Sequence, residues 1–117
     1  MSYWVYLRDN NGDLVEVPRH KEGGTVALTG TPEAELNITY NYSKYFYNTL
    51  DADDGIRYLD GKQASEVTNL LQKAVARLGT DQTDDYWDED PGNAGHALSV
   101  LLDWANQHPE AEFEVTG

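Results

Sequence analysis

The chain contains no cysteine, which excludes a disulfide framework, a thiolate metal site and a thiol nucleophile. It is also poor in cations, with eight Lys and Arg against 21 Asp and Glu and a net charge of −13. Contact with nucleic acid or an anionic membrane needs cations to neutralise phosphate, so neither is an expected partner. No run approaches the roughly 18 apolar residues of a membrane span. The opening residues Met1-Ser2-Tyr3-Trp4 lack the basic segment and apolar run of a signal peptide. These absences together predict a cytoplasmic protein.

What is present is 117 residues, the size of one domain, here a single acidic one spanning 1–117. A chain of this length buries enough surface to fold without covalent staples. Its charge is unevenly placed. Residues 1–77 carry all eight cations against eleven acids, a net of −3, whereas residues 78–117 carry ten acids and no Lys or Arg, a net of −10.

The residue pattern predicts an α+β fold: an N-terminal antiparallel β-hairpin and a third strand against three helices, with a short C-terminal strand. Tyr3–Arg8 and Leu14–Val17 are the hairpin arms, joined through Asn11-Gly12 and ended by Pro18. Thr25–Thr29 reads as the third strand. Thr31-Pro32-Glu33 has the hydroxyl cap, first-turn proline and first-turn acid of a helix start, predicting a helix to Leu50. The alternation of Ile38, Tyr40 and Tyr42 within it also fits a strand. After the acidic loop Asp51–Gly55, apolar residues from Val67 to Leu78 recur at helical spacing, and Gly79 stops the helix. Asp90-Pro91 starts the last helix, whose stripe runs through Ala94, Leu98, Leu101 and Ala105 to His108-Pro109. Leu71 and Leu101 are the centres of the two stripes. Glu112–Val115 alternates as a closing strand.

Motifs for chemistry are weak. His96, Ser99 and Asp103 share a helix face, but one straight helix does not set a histidine between a nucleophile and an acid. The acid runs ending at Gly55 and Gly92 place Leu50 and Trp87 where a calcium loop needs its first oxygen ligand. Gly23-Gly24-Thr25 and Asp60-Gly61-Lys62 are turns rather than a phosphate loop. No catalytic residue, metal ligand or cofactor is therefore assigned.

Two segments stand out as recognition sites. Asn37–Asn48 holds five aromatics and three asparagines. Tyrosine offers an apolar face with a polar tip, and asparagine both donates and accepts. Tyr40, Asn41, Tyr42 and Tyr45, with Arg57 and Lys62 for anionic groups, form a candidate small-ligand site. The second is Asp84, Asp85, Tyr86, Trp87, Asp88, Glu89 and Asp90, an aromatic pair rimmed by carboxylates that suits a partner-binding patch. Within it Trp87 is expected to pin the loop to the core while the acids face water.

Gly23-Gly24-Thr25, Glu33-Ala34, Leu36–Tyr42, Gly55-Ile56-Arg57, Gly61-Lys62, Tyr86-Trp87 and Gly92-Asn93-Ala94 together resemble a family of small proteins encoded by bacteriophages and other bacterial mobile elements. The resemblance covers nearly the whole chain and implies an origin and the cytoplasm of a bacterial host, without an activity. The expectation is a non-enzymatic accessory protein that binds a host protein with a basic surface, such as an acidic inhibitor of a nucleic-acid-binding defence system. The alternative is a protein that binds or sequesters a nucleotide-like ligand through residues 37–48.

Overall fold

Strict alternation builds the first strand, β1 (Ser2–Arg8): Tyr3, Val5 and Leu7 are buried, while Trp4, Tyr6 and Arg8 stay partly exposed. The computed structural model describes residues 1–21 and 30–117, so the strand expected at Thr25–Thr29 lies outside the described residues. β1 is the centre of a three-stranded antiparallel sheet. On one side it pairs with β4 (Glu35–Thr39), Val5 opposite Leu36. On the other it pairs with β5 (Glu112–Thr116), the expected closing strand, Leu7 opposite Phe113.

The tight turn forms at Asp9–Asp13, where the Asp9 carboxylate accepts from the amides of Asn11 and Asp13. The arms then separate. Beyond the bridge between Arg8 and Leu14, β2 (Glu16–His20) leaves β1 and pairs with β3 (Thr31–Glu33) as a two-stranded ribbon. At the fork Val15 N–H donates to Leu7 O, Leu7 N–H to Ala34 O, and Ala34 N–H to Val15 O, each at 3.1 Å. Pro18 sits inside β2 rather than ending it, where the ribbon's register is irregular and a missing N–H costs no ladder bond.

The helix expected over Thr31–Leu50 is corrected by the structure. Residues 31–39 are extended, Tyr40–Tyr42 is a single 3-10 turn, and only Ser43–Thr49 forms an α-helix, α1. Thr31 imitates a cap because its hydroxyl accepts from Glu33 N–H at 3.1 Å, a local bond that an extended turn makes equally well. The extended form prevails because it sends Leu36 and Ile38 into the core beside Tyr3 and Val5. The real cap lies eight residues later, where the Thr39 hydroxyl accepts from Asn41 N–H.

Both long helices form where their apolar stripes predict. Helix α2 (Ala64–Leu78) ends at Gly79, whose φ of 78° favours glycine. Helix α3 (Pro91–Gln107) is capped by Asp90, its carboxylate accepting from Gly92 N–H at 2.9 Å. A second 3-10 segment, Gly55–Leu59, was hidden by its shortness and buries Ile56 and Leu59. The helices pack with β1, β4 and β5 around one core that includes Phe46, Leu98, Trp104 and Phe113. The outer edge of β5 is closed by the chain before α2: Gly61 N–H donates to Phe113 O and Phe113 N–H to Lys62 O, both at 2.9 Å. Among the described residues no helix is long and apolar enough to cross a membrane.

Leu71 and Leu101 are both fully buried, as the stripes imply. Changing either to Ala leaves a cavity and is expected to cost about 2–5 kcal/mol in denaturant unfolding. A loss under about 1 kcal/mol at both positions would mean that the α2–α3 interface is not the core described.

Candidate functional site

The acidic stretch 81–90 has no regular secondary structure, yet its backbone is closely held. Five successive carbonyls, from Asp85 to Glu89, each accept a hydrogen bond from a side chain. Asp85 O accepts from Thr83 Oγ1 at 2.8 Å and from Asn93 Nδ2 at 3.1 Å. Tyr86 O accepts from the Tyr42 hydroxyl, Trp87 O from Asn41 Nδ2 at 2.8 Å, Asp88 O from Asn93 Nδ2 at 3.2 Å, and Glu89 O from the Tyr45 hydroxyl at 3.1 Å. A loop without ladder partners must satisfy its carbonyls some other way. Here neutral donors from the Tyr/Asn segment and from α3 do so.

The two segments that the sequence presents as rival sites are therefore two halves of one structure. Of the six candidate ligand residues, Asn41, Tyr42 and Tyr45 hold the acidic loop. The other three lie elsewhere. Tyr40 packs against Tyr3 with ring centroids 4.6 Å apart. Arg57 stands over the other partner of that pair, 5.1 Å from the Tyr3 ring, and donates to the Gly117 carbonyl. Lys62 rests 4.7 Å from the Tyr58 ring. The six do not converge on one cavity.

The partner-binding candidates do stay together, with one reversal. Tyr86, not Trp87, pins the loop. Its hydroxyl donates to Asn37 O at 3.0 Å and accepts from Thr39 N–H at 3.1 Å, both on the outer edge of β4. A hydroxyl can do both at once, which an indole N–H cannot. His20 Nε2 donates to Glu35 O at 2.8 Å further along the same edge. Trp87 is 44% exposed, its ring meeting that of Tyr86 edge-on at 5.0 Å. Two glycines admit the loop's first limb: a Cβ on Gly95 would collide with the Gly79 carbonyl, and one on Gly92 with that of Asp81.

The carboxylates divide by task. Asp85 accepts from Trp87 N–H at 3.0 Å, and Asp90 caps α3. Glu89 pairs with Lys44 at 3.2 Å, a hydrogen-bonded contact that raises the Lys44 pKa. Asp81, Asp84 and Asp88 are exposed, and among the described residues no ion pair neutralises them. Burial, and then the neighbouring Tyr86 and the carboxylates of Asp85, Asp88 and Asp90, raise the Tyr42 hydroxyl's pKa, so it remains a donor at any physiological pH.

Behind the loop lies a cleft of about 600 Å³ between α3, the edge of β4 and residues 82–86. It is lined by Asn93, His96, Ala97 and Val100, one face of α3, together with Leu36, Tyr42 and Tyr86. Ala97, His96 and Val100 are partly exposed, so this face of α3 is distinct from the buried stripe through Ala94, Leu98, Leu101 and Ala105. His96 is not joined to Ser99 as a catalytic pair, because the Ser99 hydroxyl donates to the His96 backbone carbonyl at 2.6 Å. Among the described residues no group of three metal-ligating side chains comes together.

Two predictions follow from this geometry. Asn93 is buried, its amide donating to Asp85 O, Asp88 O and Thr83 Oγ1 while its oxygen accepts from Thr83 N–H, so Asn93→Ala orphans several groups at once. It is expected to cost at least about 2 kcal/mol and to speed amide exchange across 85–89, whereas Tyr42→Phe, losing one bond, costs about 0.5–1.5 kcal/mol. Equal losses in the two variants would count against Asn93 as the organiser of the loop. Desolvation lowers the pKa of half-buried His96 below its ordinary 6.5. The unfolded chain then binds this proton first, so stability is unaffected above pH 6.5 and declines as pH falls from there toward the lowered folded value. Replacing His96 by Gln should remove that part of the decline in thermal melts; an unchanged pH profile would contradict it. No family model, curated protein or solved structure matches this chain, so its site is defined by its own geometry.

Proposed function

We propose that the chain is a non-enzymatic binding protein whose Asp84–Asp90 loop docks on a basic protein surface of the kind built to hold nucleic acid. One observation carries this reading: the loop backbone is held by neutral side-chain donors, so Asp84 and Asp88 stay exposed and, among the described residues, without an ion pair on either side of an exposed Trp87. An aromatic anchor in a charged rim is the usual anatomy of a contact patch. A preset loop also loses little conformational entropy on association. Rows of carboxylates compete for grooves that normally hold phosphates, and the −10 charge of residues 78–117 steers such partners from a distance. The resemblance to mobile-element proteins supports a setting in the cytoplasm of a bacterial host, with host nucleic-acid-binding or defence proteins as the partner class.

The test is a pull-down from bacterial lysate with three baits: the native chain, Trp87→Ala, and a variant with Asp81, Asp84 and Asp88 changed to Asn. Among the described residues the carboxylates of those three aspartates make no hydrogen bond, so their neutralisation separates charge from fold. The native chain should retain basic nucleic-acid-binding proteins that double-stranded DNA displaces. Both variants should lose them, Trp87→Ala by about 2 kcal/mol or more in affinity. Retention should also weaken as salt shortens the Debye length from about 10 Å at 0.1 M. The same proteins held equally by all three baits would overturn the reading.

A further inference from the structure

The cleft behind the loop has a chemistry of its own. Its volume of about 600 Å³ lies within the range of small-molecule sites, which are mostly apolar with a few placed polar groups. Ala97 and Val100 supply most of the aliphatic surface, and the partly exposed Tyr86 ring, backed 5.6 Å away by the buried Tyr42 ring, supplies π surface. Most of the polar lining is already engaged. Asn93 is bound to the loop, Asn37 Nδ2 donates to Ser2 Oγ and Tyr3 O, and the Tyr42 hydroxyl donates to Tyr86 O. His20 Nε2 donates to the β4 edge. Among the described residues the His96 imidazole has no hydrogen-bond partner, and it shares the lining with Gln82, Asp84 and Lys21 nearer the solvent.

We propose that this cleft is a binding site for a neutral, planar heterocycle of nucleoside type, with His96 and Gln82 meeting its hydrogen-bonding edge. Desolvation keeps His96 uncharged at neutral pH, so one ring nitrogen donates while the other accepts. The Gln82 carboxamide, whose oxygen and NH2 lie side by side, complements the adjacent donor and acceptor on a nucleobase, and His96 adds one further donor or acceptor. The exposed Asp84 carboxylate can accept from sugar hydroxyls. Anionic ligands are disfavoured by the chain's net charge of −13, since among the described lining residues the charge of Lys21 is offset by Asp84. Cations are disfavoured because the inner lining offers no carboxylate to replace their water. The selectivity is therefore for a nucleoside over its monophosphate. This site shares Asp84 with the docking surface proposed for the loop, but its test by nucleoside titration does not depend on that docking.

Titration of the 15N-labelled chain with adenosine, guanosine, cytidine, uridine and their 5′-monophosphates tests the assignment by NMR. At least one nucleoside should give saturable shifts at Thr83, Asp84, His96, Ala97 and Val100, with Kd of about 1 mM or tighter. Its monophosphate should bind at least about fivefold more weakly at low salt. His96→Ala should weaken the nucleoside about tenfold or more, since a hydrogen-bonded edge loses its partner. Val100→Phe, which fills the cleft from a partly exposed position, should abolish binding, and a native-like spectrum of either variant confirms that the fold is kept. The assignment is overturned by absence of saturable shifts with all four nucleosides, by preference for the monophosphate, or by full affinity in a folded His96→Ala or Val100→Phe chain.

Discussion

Everything distinctive in this molecule depends on the capture of five consecutive backbone carbonyls, Asp85 to Glu89, by side chains from elsewhere in the fold. Asn41, Tyr42 and Tyr45 reach them from the turn and helix after β4, and Asn93 reaches them from the first turns of α3. A stretch with five acids among seven residues repels itself and has little reason to adopt one shape. Hydrogen bonds to its backbone fix most of the path of the chain, with the Asp85 and Asp90 carboxylates also accepting, and leave Asp84 and Asp88 on display. A cation takes part at Glu89, where Lys44 offsets the charge.

The same arrangement closes the sheet. An open edge on β4 would offer unpaired backbone groups to any passing strand. The Tyr86 hydroxyl and the His20 ring occupy three of those groups, and the loop before α2 occupies the edge of β5. Loop, sheet edge and α3 thus stabilise one another, and the cleft is the space left where the three meet. Function and fold share residues here: Tyr42 packs in the core, holds the loop and lines the cleft at once.

Much of this was legible in the sequence where a single local rule applied. The stripes of α2 and α3, the Asp90-Pro91 cap and the turn at Asn11-Gly12 appear as expected, because each is decided by near neighbours, and the closing strand appears because its alternation suits its pairing with β1. The segment 31–50 was misread for the opposite reason. Thr31-Pro32-Glu33 satisfies the rules of a helix start, but a long-range pairing with β1 decides its conformation. The relation between the Tyr/Asn segment and the acidic run was also invisible, since Tyr42 and Tyr86 lie 44 residues apart and no periodicity links them. Composition identified both segments as unusual; only the folded chain shows that one is the socket of the other. Trp87 is the residue expected to pin the loop, whereas the β4 edge requires a group that donates and accepts, and Tyr86 is the residue with that chemistry.

The central claim is that the acidic loop is preset in the free protein. Backbone 15N relaxation across Asp84–Asp90 measures this directly, with α2 and α3 as internal references. The account predicts order parameters for these residues close to the helical value of about 0.85. Values below about 0.6 would show a loop that samples many shapes, and would contradict a surface held in place by Asn41, Tyr42, Tyr45 and Asn93.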